Sequence, residues 1–338
     1  MEPSGRNRWQ LLANGATKKA LKQADGNRWQ PTATASQRMV RRGSTVRFWS
    51  SDLCDPGDAR MGRIVWLGTL GCVVAALGIA ASLLLLTPQQ KAEMLVVTTV
   101  RPGIFSGAAH VTFADQEGGL VQAVRGAPTA SAATYRTVAA AFAGGRATAR
   151  ALQQAGVDVD FAPVFDTADG PLGSRQFARS ELAVSFARGL ARRACAKHFP
   201  GLGSAAISTD ERPHVEARIR PRDLAPYRTA IRAGLECVMV NNAFYGGARY
   251  RASLEPGTYR LLRRLGFDGI AITDSLSIVR SAPVERWAPQ AIRAGADLVL
   301  FTSRAHARRA VRALLPLARR GELDEHVRRV LRFRAALR

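Results

Sequence analysis

The chain is poor in the residues that build metal centres and redox sites. Four cysteines, Cys54, Cys72, Cys195 and Cys237, are spread over 338 residues with no Cys-x-x-Cys pair. Neither a zinc knuckle nor a dense disulfide scaffold can be assembled from that spacing. Cys195 and Cys237 fall on successive predicted strands and could meet, but sequence alone does not pair them. No His-Glu-x-x-His helix, His–Cys cluster or Walker-type Gly-Lys-Ser/Thr loop occurs, so no metal or nucleotide cofactor is expected. Aromatics make up 7% and do not interleave with the basic residues. A stacking platform for single strands is therefore not expected, and no specific nucleic acid is assigned as partner. Acidic residues are scarce as well: 26 against 49 Lys and Arg, a formal net charge of +23. A field of that sign favours anionic partners such as acidic headgroups or wall polymers. The plainer reading is an Arg-rich set of solvated helix faces.

One long apolar run is present. Ile64 to Leu86 is about 23 residues without a charge, enough to span a bilayer as a helix. Arg60 and Arg63 precede it, Trp66 lies near one end, and Thr87-Pro88 closes it. Residues 1–63 are polar and basic, with Lys18-Lys19, Arg41-Arg42 and Arg47, and read as a disordered tail. The positive-inside rule then puts the tail in the cytoplasm and residues 88–338 outside. The expectation is a single-pass protein of the cell membrane whose C-terminal domain is extracytoplasmic. A start at Met61 would make the run resemble a signal peptide, but no small-residue cleavage site follows Leu83–Leu86, so an uncleaved anchor is expected. Each basic residue close to an anionic surface adds about 1 kcal/mol of attraction.

Beyond Pro88 the pattern changes to strands alternating with helices. Candidate strands are Met94–Val100, His110–Ala114, Val157–Phe165, Ala194–His198, Cys237–Asn241, Gly269–Thr273 and Asp297–Thr302. Helical stretches such as Ser131–Gln154, Glu181–Arg193, Asp223–Gly234, Pro256–Leu265 and Ala305–Arg319 fall between them or follow. Strand then helix, repeated, predicts a parallel sheet. Five of the runs end in a polar or charged residue: Asp115, Asp166, Lys197-His198, Asn241-Asn242 and Asp274. Parallel strands whose carboxyl ends converge on one site are the arrangement of a β/α barrel, where the reacting groups sit at those ends. The spacing supplies seven strands rather than eight, so on pattern alone an open doubly wound sheet stays possible.

The residues at these strand ends resemble glycoside hydrolase family 3, in particular its single-domain β-N-acetylhexosaminidases. Ala114-Asp115-Gln116-Glu117-Gly118-Gly119 is similar to the family's DQEGG segment, and Asp160-Phe161-Ala162-Pro163-Val164-Phe165-Asp166 to its NFAPVLD strand. Gly173-Ser174-Arg175-Gln176-Phe177 is similar to GDRSF, Ala196-Lys197-His198-Phe199-Pro200-Gly201 matches AKHFPG, and Ile272-Thr273-Asp274-Ser275-Leu276 resembles the segment ending TDDL. Ala294-Gly295-Ala296-Asp297-Leu298 is similar to AGADL. The resemblance implies a TIM-type (β/α)8 barrel over 88–338 and a retaining hydrolase of O-glycosyl bonds. Its substrate would be a wall-type glycan containing N-acetylglucosamine. It implies that Asp274 is the nucleophile and that Asp115, Arg175, Lys197 and His198 hold the sugar. Asp166 is read instead as a cap of the loop after its strand.

Two departures from the family pattern stand out. The family keeps an acid/base His, held by an Asp, in the loop after the Lys-His-Phe-Pro-Gly segment. Aligned without gaps, Ser208 stands for that Asp and Asp210 for the His. Asp210 is the first candidate for the loop acid, with Glu211 and His214 as the other donors; burial could lift a carboxyl far enough to serve. The second departure is length. About 28 residues separate Leu86 from Asp115, room for one strand-helix unit and a short loop rather than two units, so the barrel is expected to lack a unit. An alternative follows from both: a pseudoenzyme that binds wall sugars without turning them over.

Overall fold

The computed structural model describes residues 83–278 and 282–338. The expected membrane helix, 64–86, lies almost wholly outside the described residues, as does the 1–63 tail. Among the described residues no helix is long and apolar enough to cross a membrane.

Helix α1 (Pro88–Met94) starts sharply because Thr87 and Gln90 form a capping box and Pro88 opens the first turn. It leads into β1 (Val96–Arg101). Next come β2 (Ile104–Ser106), β3 (Thr112–Ala114), α2 (Val138–Gln154) and β4 (Val159–Asp160). Helix α3 (Ser180–Leu190) and β5 (Cys195–Phe199) follow, then β6 (Glu216–Ala217) and α4 (Pro221–Arg232). Strands β7 (Cys237–Val240) and β8 (Phe244–Tyr245) lead to α5 (Pro256–Arg264) and β9 (Ile270–Thr273). Helix α6 (Val284–Ala294), β10 (Val299–Phe301), α7 (Arg304–Arg319) and α8 (Asp324–Ala336) complete the order.

The expectation of a (β/α)8 barrel needs correction. The described strands form a five-stranded mixed sheet, β10-β1-β2-β3-β4, a three-stranded parallel sheet, β5-β7-β9, and a separate two-stranded pair, β6-β8. Among the described residues no continuous ladder closes them into a barrel; isolated parallel bridges meet at the seams, Asp160 to Ala194 and Val164 to Lys197 at one and Ile272 to Leu298 at the other. The shortage of one unit is resolved by β2. Instead of a strand followed by a helix, the chain turns at Pro102-Gly103 and runs back antiparallel to both β1 and β3. Gly103 sits at φ +69°, and a Cβ there would lie 2.6 Å from that of Ala123. A Pro-Gly pair is the residue choice such a turn requires. The antiparallel strand fills the edge that a missing unit would have left unpaired.

The parallel strands are mainly apolar, with polar residues such as Lys197 and His198 confined to their carboxyl ends, because both faces are covered. Cys195, Ala196, Phe199, Val238, Val240, Ile270, Ala271 and Ile272 are all fully buried. Helices α2 and α3 approach closely enough that a Cβ on Gly145 would lie 2.2 Å from the Phe186 carbonyl, and one on Gly189 2.3 Å from that of Phe142. Cys195 and Cys237 are register partners on β5 and β7 and form a disulfide. Helix α7 buries Ala307, Ala310, Leu314 and Leu317 and turns Arg304, Arg308, Arg312 and Arg319 to solvent. Much of the positive charge there is a solvated helix face.

Candidate active site

The first group of side chains gathers at the carboxyl end of β3. Asp115 follows that strand, its backbone N–H donating to the Gly103 carbonyl at 2.9 Å, so the hairpin that replaces a unit also places this carboxylate. Two residues on, Glu117 precedes Gly118 and Gly119, at φ +81° and +57°, where the chain reverses. Gln116 clamps the returning loop, its side-chain oxygen accepting from Ala123 and Val124 at 3.0 and 2.9 Å.

Strand β5 supplies the second group. Its register with β7 slips between Ala196 and Phe199, and a slip of this kind re-aims side chains. Consecutive Lys197 and His198 both reach the site. Lys197 Nζ donates to Asp115 Oδ1 at 2.8 Å and to Glu117 Oε1 at 2.6 Å. Arg175 grips the same Glu117, Nε to Oε2 and Nη2 to Oε1, both at 2.8 Å. Burial by itself would raise the Glu117 pKa, but Lys197 and Arg175 outweigh it and hold the carboxyl down at about 2. Burial likewise works against the Lys197 ammonium, and Asp115 and Glu117 overcome it, lifting its pKa above the ordinary value. The result is a four-residue network of ion pairs joining Asp115, Glu117, Lys197 and Arg175.

His198 is held from behind. Its Nδ1 lies 2.7 Å from Asp166 Oδ2, while Asp166 Oδ1 accepts from the Leu202 backbone N–H at 2.6 Å. Asp166 is therefore both the loop cap expected of it and the group that orients the imidazole, leaving Nε2 as the free ring nitrogen.

Asp274 follows β9, its backbone N–H donating to the Val240 carbonyl at 2.7 Å and its Oδ1 accepting from Ser275 N–H at 2.7 Å. Burial pushes its pKa up, and the Asp210 charge adds to that; His198, the Ser275 N–H and Lys197 pull the other way. Asp274 closes β9, which pairs through β7 with β5, the strand of Lys197 and His198. Ion pairs join Asp115, Lys197, Glu117 and Arg175, and Asp210 reaches the same Arg175, so the six candidate residues lie at the carboxyl ends of neighbouring strands or in the loops that follow them.

The loop carrying Asp210 is not organised as a dyad. Ser208 is buried, and its Oγ accepts from the Asp210 N–H at 3.1 Å while its carbonyl accepts from Glu211 at 3.1 Å. Ser208 thus makes the turn that presents Asp210. The Asp210 side chain is 68% exposed and reaches Arg175 Nη1 at 3.5 Å. Glu211 is exposed. His214 is stacked on Phe244, ring centroids 4.4 Å apart, at the far anchor of the loop. Of the three donors the sequence offers, Asp210 is the one paired with a site residue. Glu117 is the site residue that sequence reasoning passed over, although the double glycine after it marks the reversal that buries it.

The profile described as "Glycosyl hydrolase family 3 N terminal domain" matches residues 95–333. The chain belongs to that family, and is by class a glycoside hydrolase. A protein named beta-hexosaminidase from Methylococcus capsulatus is 32% identical over 246 residues, covering 63% of this chain and 70% of that protein. One of the same name from Vibrio cholerae is 35% identical over 230 residues, covering 60% and 69%. Among solved structures, a family 3 glycosyl hydrolase from Mycobacterium smegmatis matches with a TM-score of 0.58 at 30% identity, over 67% of this chain and 78% of that one. A β-N-acetylhexosaminidase from Beutenbergia cavernae shares the fold, with a TM-score of 0.64 at 24% identity over 74% and 99%.

Proposed function

We propose that the protein is a retaining β-N-acetylhexosaminidase acting on N-acetylglucosamine units of wall-type glycans. The observation that carries this reading is the surround of Asp274: a raised-pKa carboxyl at a strand end beside an oriented His198 and the Lys197–Asp115–Glu117–Arg175 network. Retaining hydrolysis needs a carboxylate that attacks the anomeric carbon and an acid that protonates the departing oxygen. In this reading Asp274 Oδ displaces the aglycone and forms a glycosyl-enzyme ester. Asp210 gives its proton to the leaving oxygen, and the resulting carboxylate takes a proton from the water that cleaves the ester. Asp115 and Lys197 hold sugar hydroxyls, and the fixed network spares the site reorganisation as charge develops. Substrate specificity is inferred from the named relatives. The reading keeps the anchor at residues 64–86, the cell-membrane location and the extracytoplasmic domain, which rest on the apolar run and the basic residues before it.

The 68% exposure of Asp210 favours a second reading, a wall-sugar receptor that binds without turnover. Rapid quenching of Asp210→Asn during incubation with an aryl β-N-acetylglucosaminide separates the two. The first reading expects one N-acetylglucosaminyl mass on the peptide containing Asp274, since removal of the base slows ester hydrolysis. An unmodified Asp274 peptide, with sugar binding retained, supports the receptor.

A further inference from the structure

Arg251 is a buried cation, 9% exposed, with no ion pair among the described residues. It lies in the arm that returns from β8, where Ala252 N–H donates to the Ala243 carbonyl at 2.8 Å and Ser253 N–H to that of Asn241 at 2.9 Å. Its guanidinium is sandwiched between rings, 5.2 Å from the Phe244 centroid and 5.2 Å from that of Trp287. His214 stacks on the same Phe244, making a run His214, Phe244, Arg251, Trp287. Cation–π attraction of this kind is strongest where water is excluded, and it offsets part of the cost of burying an unpaired charge.

The polar end of Arg251 reaches two backbone carbonyls. Nη1 donates to Pro213 O at 2.6 Å and to Asn242 O at 3.3 Å. Pro213 lies three residues after Asp210 and closes the acid loop. Asn242 follows β7; its side chain donates to the Ser275 carbonyl at 3.0 Å and accepts from Ser253 Oγ at 2.6 Å. Ser275 is the residue after Asp274. One nitrogen therefore joins the end of the loop bearing Asp210 to the segment bearing Asp274. The loop's other end is pinned separately, through Asp166 to Leu202 and through the Tyr245 hydroxyl to the Gly201 carbonyl at 2.8 Å.

We propose that Arg251 is a positioning residue that latches the Asp210 loop to the Asp274 segment and so sets the reach of the proton donor. The proposal rests on the reading of Asp210 as the loop acid. A neutral side chain at 251 loses both carbonyl contacts. A lysine retains a cation between the rings but has a compact ammonium in place of the planar guanidinium.

The test uses the full chain with Arg251→Met and Arg251→Lys, each checked for folding by its melting temperature. Rates are compared for 4-nitrophenyl and methyl β-N-acetylglucosaminides, and endoproteinase Glu-C cleavage after exposed Glu211 is timed. The expected result is faster cleavage in Arg251→Met, with kcat/KM reduced about 10-fold or more for the methyl glycoside, whose departure needs protonation. Loss for the nitrophenyl glycoside should be within about 3-fold, because that leaving group needs little acid help. Arg251→Lys should fall between Arg251→Met and the wild type. A purely structural role would depress both substrates equally. Unchanged Glu-C cleavage in a folded Arg251→Met overturns the latch, and Arg251→Lys gives the same test if Arg251→Met does not fold. Accelerated cleavage together with an Asp210→Asn variant indifferent to leaving group keeps the latch and removes the Asp210 assignment.

Discussion

Replacement of Glu117 by Gln probes the centre of the ionised network. The carboxylate is only 3% exposed and takes three charge-assisted hydrogen bonds, two from Arg175 and one from Lys197, at 2.6 to 2.8 Å. Its pKa is held at about 2 against an ordinary 4.5. That gap, at about 1.4 kcal/mol per pH unit, corresponds to roughly 3 kcal/mol of stability. Because the folded pKa is depressed, the contribution is fully present above pH 4.5 and is lost as pH falls towards 2. Glu117→Gln keeps the shape but removes the charge from between two cations, so at neutral pH it should lose about 3 kcal/mol in a urea titration. For a domain of this size that is a fall of roughly 6–12 °C in Tm. The variant's stability should also flatten between pH 4.5 and 2, where the wild type declines. A loss below about 1 kcal/mol, or an acid limb identical to the wild type, would show that the ions are solvated and the network contributes little.

Other consequences can be measured separately. In the proposed mechanism Asp274 must be ionised to attack, and its pKa is raised above 3.8, so the acid limb of kcat/KM should fall at a pH above that value; a limb at or below 3.8 contradicts its environment. A raised carboxyl pKa also means that its charge costs stability at neutral pH, so Asp274→Asn should melt no lower than the wild type. The Cys195–Cys237 link closes a loop of 42 residues, and on the chain-entropy account its reduction should cost about 4 kcal/mol. Maleimide that labels either cysteine in the denatured, unreduced chain would disprove the link. In intact spheroplasts, external protease should digest the domain after residue 86; protection until lysis refutes the proposed orientation.

The parts of this molecule that were legible in the sequence are those fixed by strong local patterns. Seven strands were visible because buried parallel strands read as short apolar runs, and Asp115, Lys197, His198 and Asp274 were found because they close such runs. Strand β2 was missed. Ile104–Ser106 is only three residues long and has too little periodicity, although Pro102-Gly103 before it carries the turn signal. Glu117 was missed for another reason: its role depends on Lys197 and Arg175, 80 and 58 residues away in sequence, and no local pattern encodes that meeting. Ser208 could be placed against the family's dyad by alignment, yet only the folded turn shows its hydroxyl serving the Asp210 backbone instead. Arg251 lies in a segment with no family motif, and the role proposed for it depends on rings and carbonyls contributed by three separate segments.

The most direct test of the central claim is release of nitrophenol from 4-nitrophenyl β-N-acetylglucosaminide by the purified chain, beside a folded Asp274→Asn control. The wild type is expected to release nitrophenol and the variant none, with sugar binding kept in both. Equal rates in the two proteins, or no release from a folded wild-type chain that binds the sugar, would contradict that claim.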